Sequence, residues 1–196
     1  MLSSITPLGE RGHGRRWHVT ASWYAAGSTL GGGGVGWLAG LLGSFAGLST
    51  GVAVTLAAAA VCIAAAGADV FVGGRSLPSW RRQVNENWLV GYRAWVVGGG
   101  FGVQLGAGLV TIVTSASTYA VFALAGLTTT AVTGGVVGAT FGLARALPVL
   151  ATRPATTPVA LGRLHAVLAA WARPARIATV TVLALGGTVL LSLGGH

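Results

Sequence analysis

Charge is confined to short gaps in this chain, and long apolar runs fill nearly everything between them. Five runs are each long enough for a helix that crosses ~30 Å of hydrocarbon, which takes about 17–25 residues. They cover Ser22 to Phe45, Gly51 to Val72, Ala94 to Thr114, Thr118 to Ala144, and Ile177 to Leu193. Only 8% of the 196 residues are charged and 53% are hydrophobic, where a soluble domain carries roughly a quarter charged residues. That balance excludes an ordinary soluble enzyme, and the hydrophobicity excludes disorder. The expected fold class is all-α: a polytopic integral membrane helical bundle with about five transmembrane helices.

The twelve basic residues are all arginine, against three acids, for a net charge of +9. In a soluble protein such a charge would suggest nucleic acid. Here it orients the chain. Arg11, Arg15 and Arg16 precede the first run; Arg75, Arg81, Arg82 and Arg93 lie between the second and third. Arg145, Arg153, Arg163, Arg173 and Arg176 lie between the fourth and fifth, and the turns at 46–50 and 115–117 carry no charge. Cytoplasmic loops carry the excess of Lys and Arg, so the N-terminus is expected inside and the C-terminus outside. Trp17, Trp23, Trp80, Trp88, Trp95 and Trp171 cluster near the same boundary, as an aromatic belt does. The first apolar run exceeds the roughly 7–15 residues of a signal-peptide core, so it is read as a retained span. The composition, rich in Ala, Gly and Val with no lysine, fits a bacterial inner (plasma) membrane protein, multi-pass.

This reading makes one membrane domain of residues 1–196. It divides into a cytoplasmic segment 1–21, a hairpin 22–73, an amphipathic connection 74–93, a second hairpin 94–148, a second amphipathic connection 149–176 and a last transmembrane helix 177–196. In the first connection Trp80, Val84 and Trp88 recur every four residues and form one apolar helical face. The second opens with Thr157-Pro158, a cap followed by a first-turn proline. Leu164, Val167, Leu168 and Trp171 then share a face, and Pro174 is expected to stop the helix. Both are expected to lie at the membrane interface, the second interfacial or re-entrant.

An internal repeat is visible. The glycines at 32, 33, 34, 36 and 40 match those at 98, 99, 100, 102 and 106, and Arg75-Ser-Leu-Pro78 matches Arg145-Ala-Leu-Pro148. The expectation is two copies of one helical hairpin. Three glycine sets recur at four-residue spacing: Gly32, Gly36 and Gly40; Gly98, Gly102 and Gly106; Gly134, Gly138 and Gly142. Small residues at this spacing let helix backbones approach closely in lipid, the pattern called a glycine zipper.

Polar groups inside apolar runs are costly and are therefore candidate functional residues. Gln104, Thr111, Thr128, Thr129, Thr130 and Thr133 are the candidates for a neutral, solute-binding site near the midplane. Asp69 and Arg145 are the charge candidates, with the carboxylate expected to be satisfied by an arginine such as Arg145; Glu10 and Glu86 are expected to be solvated. Cys62 is a lone cysteine within an apolar run, so neither an intrachain disulfide nor a thiolate metal cluster is available. The histidines His13, His18, His165 and His196 are too scattered for a zinc site. No catalytic motif is present. No cofactor, no metal and no enzymatic activity are expected.

The stretch Gly99-Gly-Phe-Gly-Val-Gln-Leu-Gly106, followed by Phe141-Gly-Leu-Ala-Arg-Ala-Leu-Pro148, resembles the second half of the CcdA/DsbD-type transmembrane domain. That family belongs to the LysE-like group, with the TauE/SafE exporters. The resemblance covers about 50 residues and implies a relative that kept the scaffold and lost thiol chemistry. CcdA-type proteins move electrons through two membrane cysteines, each beside a proline; residues 104–119 here hold neither. The family also has six spans in inverted halves, against five with a parallel repeat here.

The leading functional expectation is a small transporter-like protein that binds or moves a small solute. The competing one is a non-catalytic structural or assembly subunit, packed into a larger membrane complex through its glycine-rich faces. Expected partners are the lipid bilayer, anionic lipids at the cytoplasmic face, and a second copy or another membrane protein.

Overall fold

A computed structural model describes residues 6–12, 16–47, 51–72, 93–108 and 115–195. The connection at 74–92, with its Trp80–Trp88 face and Glu86, and Thr111 lie outside these residues. Among the described residues there are seven helices and no strand. They are α1 (Pro7–Gly12), α2 (Trp17–Phe45), α3 (Val52–Val72), α4 (Ala94–Ala107), α5 (Ser117–Leu127), α6 (Ala131–Leu150) and α7 (Pro158–Gly194). Three of them contain stretches long and apolar enough to cross a membrane: Val52–Phe71, Ala131–Leu150 and Pro158–Gly194.

The packing is inverted relative to a soluble domain. The buried hydrophobic residues are mostly alanines, among them Ala59, Ala120, Ala125 and Ala146, while large residues such as Leu30, Leu42, Phe45, Phe71 and Leu185 are exposed. A monomer in water rarely shows so much contiguous apolar surface. In lipid the exposed Leu and Phe cost nothing, and helix association depends on close backbone approach.

Glycine supplies that approach around α2. A Cβ at Gly32 would overlap the Gly138 carbonyl oxygen, one at Gly36 that of Gly134, and one at Gly40 that of Thr130. These pairings run α6 antiparallel to α2. The Ser28 hydroxyl donates to the Gly142 carbonyl at 2.6 Å on the same seam. On another side of α2, Gly98, Gly102 and Gly106 press on the backbone of Thr20, Tyr24 and Ser28, so α4 runs parallel to α2. The two matching glycine phrases therefore do not pack alike: 32–40 faces α6, whereas 98–106 faces α2.

The remaining helices form a second layer. α3 packs on α7 and on α5. Gly187 of α7 sits against Ala59, Cys62 and Ile63, and Gly194 against Leu56, so α7 runs antiparallel to α3. Cys62 is buried there as a small packing residue. Ala65 of α3 clusters with Ala116 and Ala120 of α5.

Two expected boundaries move. The apolar run from Thr118 to Ala144 is not one helix: α5 ends at Leu127 and α6 starts at Ala131. The hairpin turn therefore falls at Thr128–Thr130, with Thr129 at φ 59°, and not at 115–117. α4 has 14 residues and α5 has 11, or about 21 Å and 16 Å at 1.5 Å per residue, each short of ~30 Å. Both advance toward the same end of the bundle. α4 follows α2 in parallel, and Gly126 at the end of α5 abuts Gly43 at the end of α2. The second correction is at Pro174, which does not stop a helix but lies inside α7, a continuous helix of 37 residues. It has no N–H, so it forgoes one helical hydrogen bond. The expected cap at the start of α7 is present: the Thr157 hydroxyl accepts from the Ala160 amide at 3.2 Å.

Candidate functional site: a paired helix end and helix start

The point where α4 ends and α5 begins collects buried polar groups. α4 stops at Gly108, whose φ of 68° is the left-handed conformation that only glycine adopts without strain. Its amide donates to the Leu105 carbonyl at 3.1 Å. The last carbonyls of a helix have no donors of their own and carry partial negative charge. Arg145 of α6 lies near that end. Its guanidinium lies over the Phe141 ring, 5.4 Å from the centroid, and its Nη1 is 3.8 Å from where a Cβ of Gly108 would stand. Tyr24 of α2, almost fully buried, is its electrostatic neighbour.

The start of α5 has the opposite need, since the first amides of a helix have no acceptors. Its cap residue is Ala116, which offers no side-chain acceptor. Asp69 of α3 supplies one from another helix. Its Oδ1 accepts from the Ala116 amide at 2.6 Å, and its Oδ2 from the Ser115 hydroxyl at 2.7 Å. Ser115 and Ser117 are linked at 2.7 Å. Asp69 is 3% exposed. An anion at a helix N-terminus is favourable, and in a dry interior the charge-assisted bonds are what make its burial tolerable.

A negative group thus serves the start of α5, and a positive group stands near the end of α4. Between them, Thr118 and Phe122 line the Gly108 position, and Phe122 meets Phe141 edge to face, with centroids 5.5 Å apart.

The expected site residues separate. Gln104 is half-buried on α4, one helical turn before Gly108, and has no hydrogen-bond partner among the described residues. The threonine cluster is elsewhere. Thr128 donates to the Ala125 carbonyl at 2.6 Å. Thr130 caps α6, accepting from the Thr133 amide at 3.3 Å, and its hydroxyl also meets that of Thr133. By the α2 register, Thr130 lies beside Gly40, whereas α4 ends near Ser28, about twelve residues or ~18 Å away. Thr128, Thr129, Thr130 and Thr133 therefore form the turn and cap of the α5–α6 hairpin rather than a midplane site. They are neutral and β-branched, and their spacing does not separate a turn from a polar pocket.

Two further expectations are corrected. Asp69 is held by Ser115 and Ala116 rather than by Arg145, because α3 packs on α5 and not on α6. Glu10 is not solvated: it is 2% exposed and accepts from the Thr20 hydroxyl at 2.8 Å, which ties α1 to α2. Ser115, Ser117, Tyr24 and Gly108 were not singled out by sequence reasoning. The signal was available: Gly108 is followed, after Leu109, by five consecutive β-branched residues, Val110 to Thr114, a poor continuation for a helix. Among the described residues, no group of His, Cys, Asp and Glu could hold a metal ion.

The chain matches no protein-family model, no curated protein and no solved structure.

Proposed function

We propose that this chain is a small multi-pass membrane protein that binds or moves a small solute at the junction of α4 and α5. One observation carries the reading. Where two short helices meet, a buried carboxylate serves the start of one and a guanidinium lies near the end of the other. Irregular backbone at membrane depth persists where protein buries it or where it lines a cavity. Interrupted helices whose ends address the cargo recur in transporters. In this reading Asp69 is a positioning residue, since both its oxygens are engaged, while Arg145, Tyr24 and Gln104 face the solute.

The topology that goes with it has five crossings: α2, α3, α4 with α5, α6, and the C-terminal part of α7. The N-terminus is cytoplasmic. Arg11, Arg16 and Arg153 gather at one end of the bundle, which supports that orientation. The subunit alternative draws less support, because the glycine sets 32–40, 98–106 and 134–142 are used within the chain.

The test is uptake into proteoliposomes carrying the full chain, with small labelled amino acids and monocarboxylates as probes. At least one should accumulate above protein-free vesicles. Arg145→Gln and Gln104→Leu should lower that uptake by about tenfold or more while leaving the detergent-solubilised protein monodisperse. Uptake no higher than in empty vesicles across the panel, or unchanged in both variants, would sink the reading.

A further inference from the structure

Past the end of α6, three arginines from three separate elements line one open cleft. Arg11 is in the last turn of α1, Arg16 is the cap residue of α2, and Arg153 lies three residues beyond α6. Together with His18, Trp17 and Leu150 they line a volume of about 710 Å³. Arg11, Arg16, His18 and Arg153 are all exposed, so the guanidinium groups are free to turn toward a ligand.

The cleft has a consistent charge. Among the described residues, its lining includes no carboxylate. Glu10, adjacent in sequence to Arg11, is turned away into the protein and accepts from Thr20. Arg16 makes no side-chain cap bond to the first turn of α2, so that helix end adds its own partial positive charge. Several forked guanidinium groups around a helix N-terminus favour a tetrahedral oxyanion, because each fork matches two oxygens. The walls add depth information. α6 is 20 residues long, about 30 Å, and Leu150 is its last residue. A crossing that spans α6 would leave Arg153 just past the hydrocarbon, where phosphate headgroups lie, with Trp17 at the level that indole rings prefer.

We propose that this cleft is a phosphate-binding site, formed by Arg11, Arg16, His18 and Arg153. The group it takes is a phosphate ester or free phosphate, and its position favours the headgroup of an anionic phospholipid. This inference is independent of the solute site at the α4–α5 junction.

Native mass spectrometry of the full chain in detergent tests it, with phosphatidylglycerol and phosphatidylcholine titrated in parallel. Calorimetry with inorganic phosphate and pyrophosphate tests the soluble source. The unmodified chain should retain phosphatidylglycerol over phosphatidylcholine, and Arg16→Gln with Arg153→Gln should weaken retention by about tenfold or more. Arg163→Gln and Arg173→Gln, which change net charge equally on α7, should leave it unaltered. Arg153→Lys, which keeps the charge and loses the fork, should fall between. Binding of free phosphate or pyrophosphate with no lipid preference would keep the site and assign it a soluble ligand. If the α7 pair weakens retention as much as the cleft pair, the effect is diffuse charge and the proposal fails. It fails equally if neither lipid nor phosphate is retained. Should the double variant be poorly folded, Arg153→Gln alone gives the same comparison.

Discussion

The starts of α5 and α6 solve the same problem in opposite ways. The start of α6 is self-sufficient: Thr130 caps it with its own hydroxyl, three residues from the amide it serves, at an exposed position. The start of α5 is dependent: Ala116 has nothing to offer, and the acceptor is a buried carboxylate 47 residues earlier in the chain. The difference follows from where each lies. An exposed start has water for whatever its cap leaves unmet. A buried one does not, and each orphan amide there must find protein. A turn can therefore be made from local residues alone, while an interruption within a crossing draws its partners from other helices. The second arrangement is the one that places charge in the interior, and this is why the proposed function rests there.

The start of α6 is anchored on α2, so the largest effect should come from removing that support. Gly138→Leu would drive a side chain into the Gly32 backbone and should cost about 4 kcal/mol or more, the range of severe overpacking. Gly34→Leu, where a Cβ meets nothing within 4 Å, should cost under about 1 kcal/mol. Chemical unfolding in mixed micelles reads both. Equal losses would mean that the close approach of α2 and α6 is not what holds the hairpin.

The comparison itself is sharpened by cutting each cap. Asp69→Ala leaves the buried Ala116 amide and the Ser115 hydroxyl without their acceptor and should cost about 3 kcal/mol. Thr130→Ala removes an exposed local cap and should cost about 1 kcal/mol. Ser115→Ala removes one charge-assisted bond but keeps the amide satisfied, and should fall between, at about 1.5 kcal/mol. The order matters more than the values. If Thr130→Ala proves as damaging as Asp69→Ala, burial does not distinguish the two starts and the contrast collapses.

The helical class was legible because it is written in composition along the chain, and so was the gathering of Arg11, Arg16 and Arg153. Asp69 and Arg145 were also legible as unusual charges, yet their partners were not. Pairing them with each other is the natural guess when spans are counted as whole units, and it fails because the carboxylate belongs to the α3–α5 contact. The turn was misplaced for a related reason. Residues 94–114 and 118–144 both satisfy a length criterion, and hydropathy does not register the end of one short helix and the start of the next where both are as apolar as the helices around them. Gly108 with its β-branched sequel carried that information in backbone terms. Pro174 misled in the other direction: α7 continues through it, since the loss of one hydrogen bond on an exposed helix is small beside the bonds that continuing keeps.

The smallest predicted effect bears most directly on which start is the functional one. Thr129 is the single non-glycine residue with positive φ among the described residues, and a β-branched side chain is strained there by about 1–2 kcal/mol. Thr129→Gly relieves that strain but loosens the unfolded chain by about 0.5–1 kcal/mol. The net should be a gain of about 0.5 kcal/mol, seen as a small rise in the unfolding midpoint. As part of a turn, Thr129 should also be dispensable for uptake of whichever probe the chain transports. A fall in uptake with no loss of stability would reverse the assignment. It would mean that the strained threonine is kept for a ligand, and that the turn at 128–130, rather than the junction at Asp69 and Arg145, is where the solute sits.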